Sequence, residues 1–441
     1  MSTAYVLIVF AICIIAMIVL ISKFKVHPVI SILLASIGLA IALGTPWNKI
    51  EDTINGGLAG TLKSIAIVIT LGCIMGKILE ETGAAVRITK STVNLFGEKN
   101  VIWAIALASG ILGIPIWADT VVILLIPIVS NLAIKTEKSM MSYGTALYMG
   151  ALITASLVPP TPGPVSAAAL LGVPLGDAIL WGLVVSIPAI IAATLYCMTL
   201  TTPLLPKEEY LQSALADENT KLPGIVPSLT PIILPLILII SNTAINAMMP
   251  DTGVANFFAF IGSPLASLLT GCILALPLTG KEWKSKKVLN NWVDKALESA
   301  AMPIMVTGMG GALAAFIKNA GVADKLAELI VKMNFPGIFV PIIIAALIHV
   351  VTGSNALGVM TAAALVQPML STLGVSPVAA FLCCGTGALM FKHANSSGFW
   401  VTVTMSNMDI KQGIRGIGIG STIAGGVGAL ITVLLHFAHV I

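Results

Sequence analysis

Gly113-Ile114-Pro115-Ile116-Trp117-Ala118-Asp119 and Pro159-Pro160-Thr161-Pro162-Gly163-Pro164 break two long apolar runs with residues that a continuous helix does not accept. A second pair of breaks lies far downstream, at Thr352-Gly353-Ser354-Asn355 and at His393-Ala394-Asn395-Ser396-Ser397-Gly398. Asp119 and Pro159 are 40 positions apart, and so are Asn355 and Asn395. In a membrane protein, interrupted helices at corresponding places of two halves are the sequence mark of a solute site near mid-membrane.

The surrounding composition establishes the membrane. The 441 residues are 57% hydrophobic and only 10% charged, with mean hydropathy +1.02, against about 25% charged in an ordinary soluble domain. Residues 4–22 and 225–249 carry no charge, and 26–44 is broken only by His27; each run is long enough for roughly 30 Å of hydrocarbon. About ten to twelve spans are expected, making an all-α polytopic membrane protein. The first cation, Lys23, follows the first apolar run instead of preceding it, so that run reads as a retained span and not a cleaved signal. The six cysteines form no CxxC pair and suggest neither a disulfide framework nor a zinc site. A net charge of +4, dispersed along the chain, argues against nucleic acid as a partner.

The halves repeat. Gly72-Cys73-Ile74-Met75-Gly76-Lys77 through Gly83-Ala84 aligns with Gly310-Gly311-Ala312 through Gly321-Val322 at an offset of 238, and the breaks correspond at 236. Lys23 and Lys25, Arg87, Lys90 and Lys99, and the Lys281–Lys295 cluster mark cytoplasmic loops. The span at 58–79 then runs inward and its counterpart at 297–317 runs outward, which makes the repeats inverted. Lys318, Lys325 and Lys332, accompanied by Asp324 and Glu328, fall outside against the rule. The resulting division is N-terminal scaffold helices over 1–56, a first repeat with a re-entrant hairpin over 57–203, and a polar linker over 204–224. Connecting helices with a basic loop occupy 225–295, and a second repeat with a re-entrant hairpin occupies 296–441.

Each break has a chemical reading. The prolines of 159–164 force the chain to turn within the membrane, and a helix restarting at Pro164-Val165 would aim a positive dipole end and free N–H groups into a wet cavity, an anion site. The competing reading is a proline-kinked helix held by its neighbours. Gly353-Ser354-Asn355 reads as the tip of a re-entrant hairpin whose hydroxyl and amide groups suit a cation or substrate hydroxyls. Asp119 occupies the matching place in the first half. A carboxylate at that depth costs about 2.5–3.5 kcal/mol on insertion scales and usually faces a cavity with a task, unless it lies near the interface and only accepts backbone N–H bonds. His349 and His393 titrate in a useful range, though either could be a structural histidine.

At these residues the chain resembles the gluconate permease family, whose relatives carry sugar acids, small hydroxy acids and D-serine. The likeness runs through Gly60-Thr61-Leu62, Leu71-Gly72, Gly76-Lys77-Ile78-Leu79-Glu80, the proline-rich break, Thr352-Gly353-Ser354, and His393-Ala394-Asn395-Ser396-Ser397-Gly398-Phe399-Trp400. It implies a secondary active transporter of the wider ion-transporter superfamily, with two inverted repeats, dimerisation through a scaffold, elevator-like movement and proton symport. Three positions depart from the family pattern. Thr161 stands where the family has histidine, Ser396 where it has aspartate, and His349 where it tends to have arginine. An arginine would grip a carboxylate bidentately and a histidine cannot.

The expected protein is therefore a multi-pass bacterial-type plasma membrane symporter, a homodimer without cofactor or metal, importing gluconate or a related small organic acid. Thr161, Gly163 and the backbone after Pro164 would hold one end of the substrate, and Ser354, Asn355, Asn395 and Ser396 its hydroxyls. Asp119, or else His349 or His393, would carry the coupled proton. A sodium-coupled transporter or cation/proton antiporter could use the same hairpins through oxygen ligands. An intramembrane enzyme is less well supported, since the chain has no HExxH, no GxSxG and no nucleophile with an evident base. The Gly308–Gly311 and Gly416–Gly420 clusters fit close helix packing in lipid better than nucleotide binding.

Overall fold

A computed structural model describes residues 3–210, 222–322 and 336–441, all helix and connection, with no strand among them. Most of the polar linker, and Asp324, Lys325, Glu328 and Lys332, lie outside the described residues. The first half runs α1 (Thr3–Ser22), α2 (Pro28–Ala42), α3 (Trp47–Glu81), α4 (Ala84–Phe96), α5 (Val101–Leu112), α6 (Ala118–Lys135), α7 (Met140–Leu157), α8 (Pro162–Leu171) and α9 (Leu175–Met198). After the linker come α10 (Ile225–Met248), α11 (Gly253–Ile261) and α12 (Pro264–Ala275). The second half has α13 (Trp292–Asn319), α14 (Phe339–Thr352), α15 (Asn355–Val366), α16 (Pro377–Leu389), α17 (Ser397–Met405) and α18 (Ile410–Phe437). Ten of these helical units are long and apolar enough to cross a membrane.

Local chemistry sets the ends. Ser139, Ser263, Ser354 and Ser376 cap α7, α12, α15 and α16 by accepting a backbone N–H two or three residues on. Proline fills the first helical position of α2, α12 and α16, where a missing N–H costs nothing. Expected lengths mostly hold, but the 26–44 run forms only the 15-residue α2, and the boundary at 57 falls inside the 35-residue α3.

The breaks divide into two kinds. Between α14 and α15 the chain reverses about Gly353, whose φ of 73° closes the first helix in the left-handed region. Gly358 of α15 then lies against Ala345 and His349 of α14, as in a tight hairpin. At the proline-rich stretch the expectation of a turn does not hold: α7 stops at Leu157, Val158–Thr161 is non-helical, and α8 continues so that Met140–Leu171 forms one crossing unit of 32 residues. Prolines remove N–H donors and unwind a turn; they do not by themselves reverse a chain packed on all sides, and nearly all of this unit is buried. The restart is Pro162, not Pro164.

The two long helices α3 and α13 are antiparallel. Ile78 clusters with Trp292, whereas Leu58 and Leu62 face Gly308, and Gly57 faces Gly311 and Ala312. A β-carbon on Gly57 would lie 2.6 Å from Ala312 Cα, and one on Gly311 would lie 2.6 Å from the Gly57 carbonyl oxygen. Small residues permit this close crossing, so the Gly308–Gly311 cluster serves packing. Gly57→Ala is expected to lower the thermal midpoint of the detergent-solubilised protein, since overpacking costs about 1–3 kcal/mol. Gly56→Ala, with open space around its β-carbon, should leave the midpoint unchanged or slightly raised by better helix propensity. Equal midpoints for the two would remove the crossing as a stability determinant.

Candidate functional site

Four helix starts meet at one cavity of about 190 Å³. Ala118 and Asp119 come from the start of α6, Thr161 and Gly163 from the α7–α8 break and α8, Ser354 to Ala356 from the hairpin tip, and Ser396 and Ser397 from the α16–α17 break. Tyr148, Leu152 and Ser156 of α7 form its wall. The volume is below the roughly 300–1,000 Å³ of drug-sized pockets and suits a small solute. Helix N-termini turn partial positive charge toward the space they face.

Packing explains why these starts converge. Gly72 and Gly76 of α3 let the chain approach at Pro160 and Pro115, a β-carbon on Gly72 lying 3.1 Å from the Pro160 carbonyl oxygen. Gly163 faces Ala356 across the gap between α8 and α15, 3.5 Å from its built β-carbon to Ala356 Cα. Gly398 of α17 touches both Tyr148 and Asp119. Asp119 Oδ2 accepts a hydrogen bond from Ser397 Oγ at 2.8 Å, tying α6 to α17. Asn355 Nδ2 donates to the Ala388 carbonyl at 2.8 Å and to Ser156 Oγ at 3.3 Å. Thr161 Oγ1 donates back to the carbonyls of Ala155 and Val158 at 3.0 and 2.9 Å, satisfying the end of α7. Pro162 and Pro164 carry no N–H, so two of the donors expected at the α8 start are missing and the anion site there is poorer than its dipole alone suggests.

Lys392 belongs to the site although no motif in the sequence singles it out. It lies in the α16–α17 break, 3% exposed, with Nζ donating to Asn355 Oδ1 and sitting 5.7 Å from the centroid of the Tyr148 ring. It lines the cavity and takes no part in the ion pairs of the described residues, which involve Lys77, Lys207 and Lys287. Asp119 is within electrostatic reach. The fully buried Tyr148 hydroxyl has no well-formed hydrogen bond, a looser approach to Ser396 aside. A signal existed in the chain, a lysine inside the apolar stretch Leu389-Met390-Phe391-Lys392, because ionisable residues at such depth are rarely idle.

Other expected site residues lie elsewhere. His349 is buried in α14 with Nδ1 at 2.8 Å from the Met390 carbonyl, outside the cavity lining. His393 Nδ1 accepts from the Asn395 backbone N–H at 3.3 Å, and Asn395 Nδ2 donates to the Val350 carbonyl, bracing the hairpin tip from behind. Pro164 is buried within α8. None of these four borders the cavity. Among the described residues no cluster of His, Cys, Asp and Glu could hold a metal ion.

A second cavity of about 350 Å³ meets the first at Trp117 and Thr161. Its far end is lined by Lys77 and Glu80 of α3 and by Lys295 and Glu298 of α13. Lys77 Nζ is paired with Glu80 at 3.0 Å and Glu81 at 2.8 Å.

Comparison with known proteins matches residues 5–438 to the family profile described as GntP family permease. A gluconate permease of Pseudomonas aeruginosa is 31% identical over 440 residues, covering 98% of each chain. A gluconate permease of Zymomonas mobilis is 32% identical over 421 residues, covering 93% of each, and the high-affinity gluconate transporter of Escherichia coli is 26% identical over 433 residues, 98% of this chain and 99% of that one. Among solved structures, the Alcanivorax borkumensis YdaH transporter, described as having an unusual topology, superposes with a TM-score of 0.68 at 16% identity, over 93% of this chain and 98% of that one.

Proposed function

Because the chain belongs to the GntP family of permeases, we propose that it imports gluconate or a closely related small sugar or hydroxy acid as a secondary active transporter. It is a multi-pass integral membrane protein, in bacteria of the plasma membrane, and a permease and not an enzyme. The observation that carries the reading is the small cavity where four helix starts surround a buried ammonium. Such a space favours an anion on electrostatic grounds, and the serine, threonine and asparagine groups at its edge suit hydroxyls.

In this reading proton symport runs through Asp119, the carboxylate that borders the cavity. Alternating access is elevator-like, with the hairpin tip and the two helix breaks moving together past α3 and α13. The antiparallel packing of those helices, and their correspondence along the chain, support inverted repeats. The cavity beyond Trp117 and Thr161 is the vestibule to the cytoplasm, since it ends at the Lys295 side. Sodium coupling at the hairpin tip has less support, because Asn355 Oδ1 already accepts from Lys392.

Uptake of labelled gluconate into proteoliposomes, under an inward proton gradient in sodium-free buffer, tests the proposal. Accumulation that a protonophore abolishes is expected. No uptake of gluconate or of shorter hydroxy acids by demonstrably folded protein would overturn it, and accumulation only with sodium would transfer the coupling to that ion.

A further inference from the structure

We propose that Lys392 is the specificity-determining residue that binds the substrate's carboxylate, exchanging its contact with Asn355 for the incoming anion. The inference rests on the transport reading above and deepens it. Burying an ammonium away from water is costly unless it is paired and hydrogen-bonded. Lys392 is 3% exposed, yet its one hydrogen bond at Nζ goes to a neutral amide oxygen. An ammonium has three donors, so donor capacity is left facing the cavity. The hydroxyl of Tyr148, whose ring centroid lies 5.7 Å from Nζ, is likewise buried and poorly bonded. Asp119 does not discharge the lysine, because its carboxylate bonds Ser397 and forms no ion pair with Nζ.

Two unfilled polar groups on one wall of a small cavity define where a carboxylate sits. One carboxylate oxygen accepts from Lys392 Nζ and the other from the Tyr148 hydroxyl. The polyol chain then runs toward Ser354, Ser397 and the Gly163 backbone, all on the cavity surface. When the anion arrives, Asn355 loses its contact with the ammonium but keeps its bonds to Ala388 and Ser156. The hairpin tip therefore responds to occupancy without losing its anchor.

The test uses the full-length protein in proteoliposomes and in detergent, with gluconate, its neutral amide gluconamide, and D-glucitol, which has the same carbon chain and no acid group. Wild-type protein should bind gluconate at least about 30-fold more tightly than gluconamide, the loss expected when one partner of a buried charge pair is removed. Lys392→Met should remain folded, lose that preference and bind gluconate about 30-fold or more weakly, while Lys392→Arg, which keeps the charge, retains a preference for the acid. Gluconate and gluconamide binding equally to the wild type would overturn the proposal however the variants fold. So would a folded Lys392→Met protein that keeps wild-type affinity for gluconate. Wild-type protein that binds none of the three overturns the transport reading itself, a result distinct from either.

Discussion

Asp119→Asn protein should lose uphill accumulation of gluconate while still exchanging internal for external gluconate. The amide has the shape of the carboxylate and can keep the bond from Ser397 Oγ, now 2.8 Å, so the packing between α6 and α17 survives. What it cannot do is bind and release a proton. The charge count around the cavity explains why that matters. Empty, the site holds Lys392 and Asp119, one cation and one anion. With a gluconate anion alone it would carry one net negative charge, and a net charge at mid-membrane costs about 2.5–3.5 kcal/mol or more. In the proposed symport a proton on Asp119 would restore neutrality, so that the loaded and empty forms would cross with equal ease and the half-loaded form would not. Under a proton gradient of about two pH units, one-to-one coupling supports roughly 100-fold accumulation, tenfold for each 1.4 kcal/mol. In Asp119→Asn the anion-loaded form is already neutral, so exchange proceeds and the accumulation ratio falls to one. Uphill uptake unchanged from wild type would eliminate Asp119 as the proton carrier.

Gly398→Ala should weaken gluconate binding markedly while leaving the fold largely intact. A β-carbon there would fall on the Tyr148 hydroxyl and on Asp119 Oδ1, and 2.7 Å from Tyr148 Cζ. Tyr148 is fully buried and forms part of the cavity wall, so Tyr148 itself, α17 or Asp119 must shift. Any of these movements would disturb the Asp119–Ser397 contact or the wall against which the substrate is proposed to rest. Strain of about 1–3 kcal/mol from overpacking, borne by the bound form, would weaken binding about 5- to 150-fold. Gly426→Ala, with open space around its β-carbon, serves as the matched control. Gluconate-dependent thermal stabilisation separates the two, and a Gly398→Ala protein stabilised as strongly as the wild type would show that the crowding is relieved without cost to the site.

Legibility differed between fold and site for physical reasons. The run at 4–22 became α1 and the run at 225–249 became α10, because apolar length alone decides whether a helix can satisfy its backbone across lipid. The hairpin at Gly353 was readable because only glycine closes a helix cheaply in the left-handed region. The proline break was readable as a break but not as a direction, since whether α8 continues or reverses depends on the burial of α7 and α8 by other helices. Of the polar residues singled out, Asp119, Thr161, Gly163, Ser354, Asn355 and Ser396 border the cavity. Pro164, His349, His393 and Asn395 sit behind or beside it. All carry the same local signature, a polar or breaking residue in apolar surroundings.

The amino-acid sequence by itself determined that this chain lives in the membrane, where its helices are interrupted, and to which family it belongs, because hydrophobic length, proline and glycine act within a few residues of themselves. Which interruptions meet was decided by the tertiary structure. Lys392 gains its place from Asn355, 37 residues away, and from Tyr148, far earlier in the chain. Gly398 meets Asp119 across 279 positions. Contacts of that kind form only when helices pack at particular faces, and no local spacing encodes the faces.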